Sequence, residues 1–285
     1  MPIPSQLNVD IVSPENYPMI EVNGLQIIKT NSTVYLGSSL NIPISNQSVI
    51  IGQGAAGGLT GPDNVAIGRL AMWQATASNA SVAIGSSAGG SLTTGISNTF
   101  IGCQSGGAVV TGFANTCVGQ LAGATLSGNA LTNTFIGNQT GTNVLNITGE
   151  GNTCLGNAAN PSSASVNHEF TLGSSSITAL RCAVTSITSL SDARDKKNIE
   201  ESKYGLDLIE SLKPVTFEWE TRDGAKKDIK DLGFIAQDLK KIDDDYLGLV
   251  YDENPEKLEA SYGRLIPVLV KAIQELSEEV KQLKK

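Results

Sequence analysis

A short apolar triplet closed by glycine recurs nine times between residues 34 and 173, and it restricts the fold more than any other feature of the chain. The units are Val-Tyr-Leu-Gly37, Val-Ile-Ile-Gly52, Val-Ala-Ile-Gly68, Val-Ala-Ile-Gly85, Thr-Phe-Ile-Gly102, Thr-Cys-Val-Gly119, Thr-Phe-Ile-Gly137, Thr-Cys-Leu-Gly156 and Phe-Thr-Leu-Gly173. Successive glycines lie 15, 16, 17, 17, 17, 18, 19 and 17 residues apart. Asn opens the unit at Asn64, Asn98, Asn115, Asn133 and Asn152. A small residue follows the glycine by three at Ala55, Ala71, Ala88, Ser105, Ala122, Thr140 and Ala159. A strand this short cannot bury its own surface, so successive units must stack on one another.

The residue before each glycine is always Ile, Val or Leu, which predicts that this position forms the core. The residue before that one is mostly apolar as well, yet points to the opposite face of a strand. Covering both faces of so thin an element implicates neighbouring chains. Nine coils stacked singly at about 4.8 Å would make a rod of roughly 43 Å. Composition agrees with repetitive β structure: residues 1–190 hold 25 of the 30 glycines and only Lys29, Arg69 and Arg181 as strong cations. Recurring apolar positions argue against a disordered polar tract.

Over residues 34–173 the pattern resembles the Asn-x-x-x-Ile-Gly-x-x-Ala repeats of viral fibres and is similar to the head repeats of trimeric adhesins. That resemblance implies a homotrimeric β-fibre, as a stacked β-roll or an interwoven β-helix, although a repeat lengthening from 15 to 19 departs from a strict roll. Ahead of it, Met19 to Val22 and Leu25 to Ile28 flank Asn23-Gly24, a two-residue hairpin signal. Residues 1–33 are thus read as a hairpin or attachment segment, either an ordinary N-terminal cap or the contact with other virion proteins.

Charge changes abruptly after residue 190, where 17 cations and 22 anions crowd into 95 residues. Read alone, the stretch from Ile187 to Ile199 is a solvated charged linker. Its motif Ser191-Asp192-x-Arg194-x-Lys196-x-Asn198-Ile199 nevertheless resembles the intramolecular chaperone family of phage tailspikes and fibres. So do Leu212-Lys213-Pro214-Val215 with Phe217, the run from Gly233 to Gln237, and Tyr262 to Leu276. In that family the matching Ser and Lys form a self-cleaving dyad and the cut falls before the Ser. The resemblance therefore implies Ser191 as nucleophile, Lys196 as base, and Leu190-Ser191 as the scissile bond, with Asp192, Arg194 and Asn198 in support. A serine hydroxyl needs a base to remove its proton, and an amine serves once desolvation or neighbouring cations keep it neutral. Arg194 cannot be that base because a guanidinium stays protonated. Lys197 remains a rival.

Further along, Tyr204 to Leu212 reads as a short helix stopped by Pro214, Val215 to Trp219 as a strand, Asp223-Gly224 as a turn, and Asp238 to Ile242 as part of a helix. The acidic run from Asp243 to Asp245 reads as a solvated loop. Ile266, Leu269, Ile273, Leu276, Val280 and Leu283 alternate three and four apart and predict a heptad seam between chains. By residue type alone such a seam favours a dimer; the repeat and the family favour a trimer. An amphipathic helix lying on its own domain is the competing reading.

The expected fold is mainly β: a repetitive trimeric fibre over 34–190, then a smaller α+β chaperone domain over 191–285 ending in a coiled-coil helix. The expected function is a viral fibre, spike or decoration protein that trimerises through its tail, assembles in the host cytoplasm and ends in the virion. Host receptor or glycan binding is the alternative. Glycan hydrolysis needs two convergent carboxylates, and within the repeats only Asp63, Glu150 and Glu169 are available, far apart in sequence. Three cations in 190 residues make no footprint for nucleic acid, although the myelin regulatory factor group shares this tail type. A bacterial adhesin would call for a secretion signal and an anchor, and neither pattern is present; no membrane insertion is expected. Cys103, Cys117, Cys154 and Cys182 lack metal-ligand spacing and read as small buried thiols, and no metal or cofactor is implied.

Overall fold

The computed structural model describes residues 47–183 and 187–285, preceded by the backbones of four strands. The chain divides into two compact units, Met1–Ser174 and Ser175–Lys285.

In the first unit, β1 (Val9–Val12), β2 (Met19–Val22), β3 (Leu25–Lys29) and β4 (Val34–Gly37) form an antiparallel meander. Val22 pairs with Leu25, the register of a two-residue connection; Asn23 and Gly24 themselves lie outside the described residues. From β4 onward pairing is parallel through β5 (Val49–Ile51), β6 (Val65–Ile67), β7 (Val82–Ile84), β8 (Thr99–Ile101), β9 (Thr116–Val118), β10 (Thr134–Ile136), β11 (Thr153–Leu155) and β12 (Phe170–Leu172). Each triplet sits in register on the next, as Val65, Ala66 and Ile67 pair with Val82, Ala83 and Ile84. Nine glycine-closed triplets have become nine consecutive strands of one parallel solenoid.

The core position is one residue away from the expected one. The middle residue of the triplet is sealed inside the coil, at Ile50, Ala66, Ala83, Phe100, Cys117, Phe135 and Cys154. The residue before the glycine faces outward, with Ile101 37 % and Ile136 40 % exposed. A coil of about 17 residues has little interior, and the third-after-glycine residues from Ala55 to Ala159 already fill part of it. Only one face of each strand can be housed there, so the branched aliphatics form an outer ladder instead. Cys117 and Cys154 are the buried thiols, and burial pushes the latter up to about 11. Cys103 and Cys182, against expectation, are exposed.

Two devices hold the stack. Gly52, Gly68 and Gly85 adopt φ near +130°, and a Cβ on any of them would come within 2.5 Å of the next coil's glycine carbonyl. Beside them runs a buried polar ladder. The Oδ1 of Asn98 accepts from the backbone N–H of Asn115 at 3.0 Å, that of Asn115 from Asn133 at 3.1 Å, and that of Asn133 from Asn152 at 3.0 Å. Ser81 fills the same place with its hydroxyl, accepting from the Asn98 N–H, and the Glu169 N–H donates the last link to Asn152 Oδ1. Each Asn also donates Nδ2 to a carbonyl of the following coil, so buried polar atoms are satisfied rung by rung.

The second unit is α+β. Helix α1 (Leu206–Ser211) ends ahead of Pro214; β13 (Val215–Glu220) and β14 (Lys227–Gly233) form a hairpin; α2 (Ala236–Leu239), a two-stranded pair β15 (Val250–Tyr251) and β16 (Glu259–Ala260), and α3 (Leu265–Leu283) follow. Helix α2 starts earlier than the expected segment, and 240–242 is a turn. Leu239, Leu247, Leu249, Leu265 and Val268 make the core, with Tyr204, Leu208 and Phe234 packed against it.

Candidate functional site

The first described residues of the second unit are exposed; Ile187 and Leu190 present 95 % and 97 % of their surface. The unit's first helical turn is set by Asp192. Its carboxylate accepts the backbone N–H of Arg194 at 2.9 Å and caps a 3-10 turn over Ala193–Asp195. The same carboxylate takes the Arg194 guanidinium through Nε at 3.1 Å and a terminal nitrogen at 2.6 Å. This pairing holds the Asp192 carboxyl below its usual range and raises the Arg194 guanidinium. The turn closes when the Lys196 N–H donates to the Ala193 carbonyl at 3.2 Å.

Closing that turn folds residue 196 back over residue 191. Lys196 Nζ lies 2.7 Å from Ser191 Oγ and 3.3 Å from the Ser191 carbonyl oxygen. Asn198, at φ +52°, then redirects the chain in the left-handed region that Asn tolerates. Thus Asp192 and Arg194 shape the turn, Ser191 and Lys196 meet across it, and Leu190 sits open at its entrance. Lys197 makes no hydrogen bond to Ser191 among the described residues.

Residues 191–248 match the family described as chaperone of endosialidase. The match begins on Ser191 and spans a fifth of the chain. No curated protein and no solved structure matches the sequence. Within the matched segment, Gly233 has a structural reason: a side chain there would strike the Tyr262 ring, whose hydroxyl accepts the Phe234 N–H at 3.1 Å. Helix α3 lies beyond the matched residues.

That helix has two apolar sides. Leu265, Val268 and Ala272 turn into the unit's core, while Ile266, Leu269, Ile273, Leu276, Val280 and Leu283 are all exposed, from 44 % at Leu269 to 87 % at Leu283. The two readings of the heptad pattern, an own-domain helix and an outward seam, therefore describe adjoining sides of one helix.

Sequence reasoning missed the groups that organise this unit. The acidic run is no plain solvated loop: Asp243 accepts the N–H groups of Leu249 and Val250 at 2.8 and 2.9 Å, and Asp244 those of Tyr246 and Leu247. Glu275, on α3, accepts the Leu206 N–H at 2.7 Å and so caps α1, whose own N-cap residue is Gly205. Nothing local in sequence marks a cap supplied from 69 residues away.

Proposed function

We propose that residues 191–285 are a trimerisation chaperone for a fibrous viral appendage built by residues 1–190, and that Ser191 and Lys196 then cut the Leu190-Ser191 bond. The observation that carries the reading is the 2.7 Å approach of Lys196 Nζ to Ser191 Oγ at the first residue of the endosialidase-chaperone match. Two outward apolar faces support assembly from three copies. One is the aliphatic ladder of the solenoid, including Ile101 and Ile136; the other is the α3 seam. Both run along repetitive elements that can slip in register, which is the error an aligning tail prevents.

In this mechanism the Lys196 amine, once neutral, removes the Ser191 hydroxyl proton. Oγ attacks the Leu190 carbonyl carbon, the C–N bond to Ser191 breaks, and the released amine takes up the proton. Water then hydrolyses the Leu190 ester, leaving a Leu190 carboxylate and the free Ser191 hydroxyl. In the single chain Ser191 and Lys196 are open to solvent. Apposition of neighbouring copies supplies the desolvation that favours a neutral amine, which couples cutting to assembly. Removing the aligner leaves a fibre with no direct route back to its folding pathway.

The test is a denaturing gel of the purified 29.7 kDa chain and its variants. Ser191→Ala and Lys196→Ala should stay whole yet sediment as trimers, while Lys197→Ala should still give two pieces. Leu276→Asp should yield monomers that cut slowly. Normal cutting in Ser191→Ala would sink the mechanism; normal cutting in Leu276→Asp monomers would remove its coupling to assembly.

A further inference from the structure

The stretch from Lys196 to Gly205 carries the dyad's lysine yet contains no helix or strand, so something else must hold it. Tyr204 packs on the unit's core at its far end, and two tethers come from the seam helix. Lys271 Nζ pairs with Glu201 Oε1 at 2.6 Å, and one turn later Glu275 takes the Leu206 N–H at 2.7 Å. Lys271 also lies 3.9 Å from Glu275, so one cation serves both anchors. Its side chain is only 23 % exposed, whereas Glu201 is 84 % exposed and contributes little to any core.

We infer that Glu201 and Lys271 are positioning residues for the proposed self-cleavage: their ion pair fixes the segment behind the dyad to the helix that carries the seam. This inference rests on the cutting reaction proposed above. Lys271 lies on the α3 side away from the seam residues, toward its own unit, so it can pass on the seam's placement without joining the contact between copies. Holding the segment limits the positions Ser191 and Lys196 can sample, and placement of reacting groups is where a small displacement costs most rate. The pairing holds the Glu201 carboxyl below its usual range and raises the Lys271 ammonium, as mutual stabilisation requires.

The experiment follows full-length chains by denaturing gel over time, with sedimentation in parallel. Glu201→Gln changes an exposed side chain and should fold and trimerise like wild type, but cut about fivefold more slowly, near the upper limit for an exposed pair. Lys271→Met should slow cutting at least as much, and Lys271→Arg should stay within about twofold of wild type. The double variant Glu201→Gln with Lys271→Met should be no slower than Lys271→Met alone, because the two act through one contact. Wild-type rates in Glu201→Gln, or additive losses in the double variant, would overturn the assignment while leaving the dyad intact. A wild-type chain that never cuts would remove the dyad reading and this one with it.

Discussion

The solenoid and the tail keep their shapes by opposite means. Among the described residues the solenoid seals 21 apolar side chains into one continuous cluster, while the tail's core has five, so the solenoid coil is the more self-sufficient fold. Its core is also local: each rung meets the rung before and the rung after, through the same three strand residues and a buried Asn or Ser beside them. The tail instead relies on contacts distant in sequence, such as Glu275 with Leu206 and Tyr262 with Phe234. Local repetition makes a coil easy to propagate and its register easy to mistake, because every rung resembles its neighbours. A domain of unique long-range contacts has one register, which suits it to align copies of the other.

The largest expected effect separates the two parts physically. Residues 1–190 expressed alone should aggregate, whereas the same fragment released by cutting from the full chain should stay soluble. Equal yields of soluble trimer by both routes would end the proposed division of labour. Next in size is a contrast within one strand. Phe100→Ala empties a sealed position and should destabilise the coil by about 3–5 kcal/mol in denaturant melts. Ile101→Asp, one residue on, should leave the coil's circular dichroism intact and weaken association between copies. If both variants unfold alike, the outward ladder is not an interface.

A smaller effect tests the polar ladder. Asn115→Ala strands the Asn133 N–H and the Ala130 carbonyl that it serves, at about 1–3 kcal/mol for each buried group left unpaired. Thermal melting with no change in midpoint would show that the ladder is ornamental to stability. The smallest concerns the cap of the dyad turn. Arg194 depresses the Asp192 carboxyl, so whatever the cap contributes is present above the ordinary carboxylate range and is lost only as pH falls through the lowered value. Amide exchange at Arg194 should therefore show no pH-specific loss of protection between about pH 8 and about pH 5, once intrinsic exchange is corrected for. Loss of protection in that window would mean the cap is weaker than its geometry.

Much of this was legible in residue order alone. Strand placement followed from the triplets because a period near 17 with glycine at each close leaves few alternatives to a stacked coil, and Ser191 with Lys196 stood out through family likeness. Which face of the triplet became the core was not legible: Ala66 and Ile67 are both apolar, and hydrophobicity would have favoured the larger. The narrow coil reversed that order. Nor could heptad spacing say that α3 would serve two surfaces, since a helix face is assigned only by what packs against it. Local chemistry decided where strands, turns and the 3-10 cap form, because those depend on neighbours in the chain. Tertiary structure decided inside from outside, and brought Glu201 to Lys271 and Leu206 to Glu275, because burial and long-range caps depend on space that no single stretch of sequence contains.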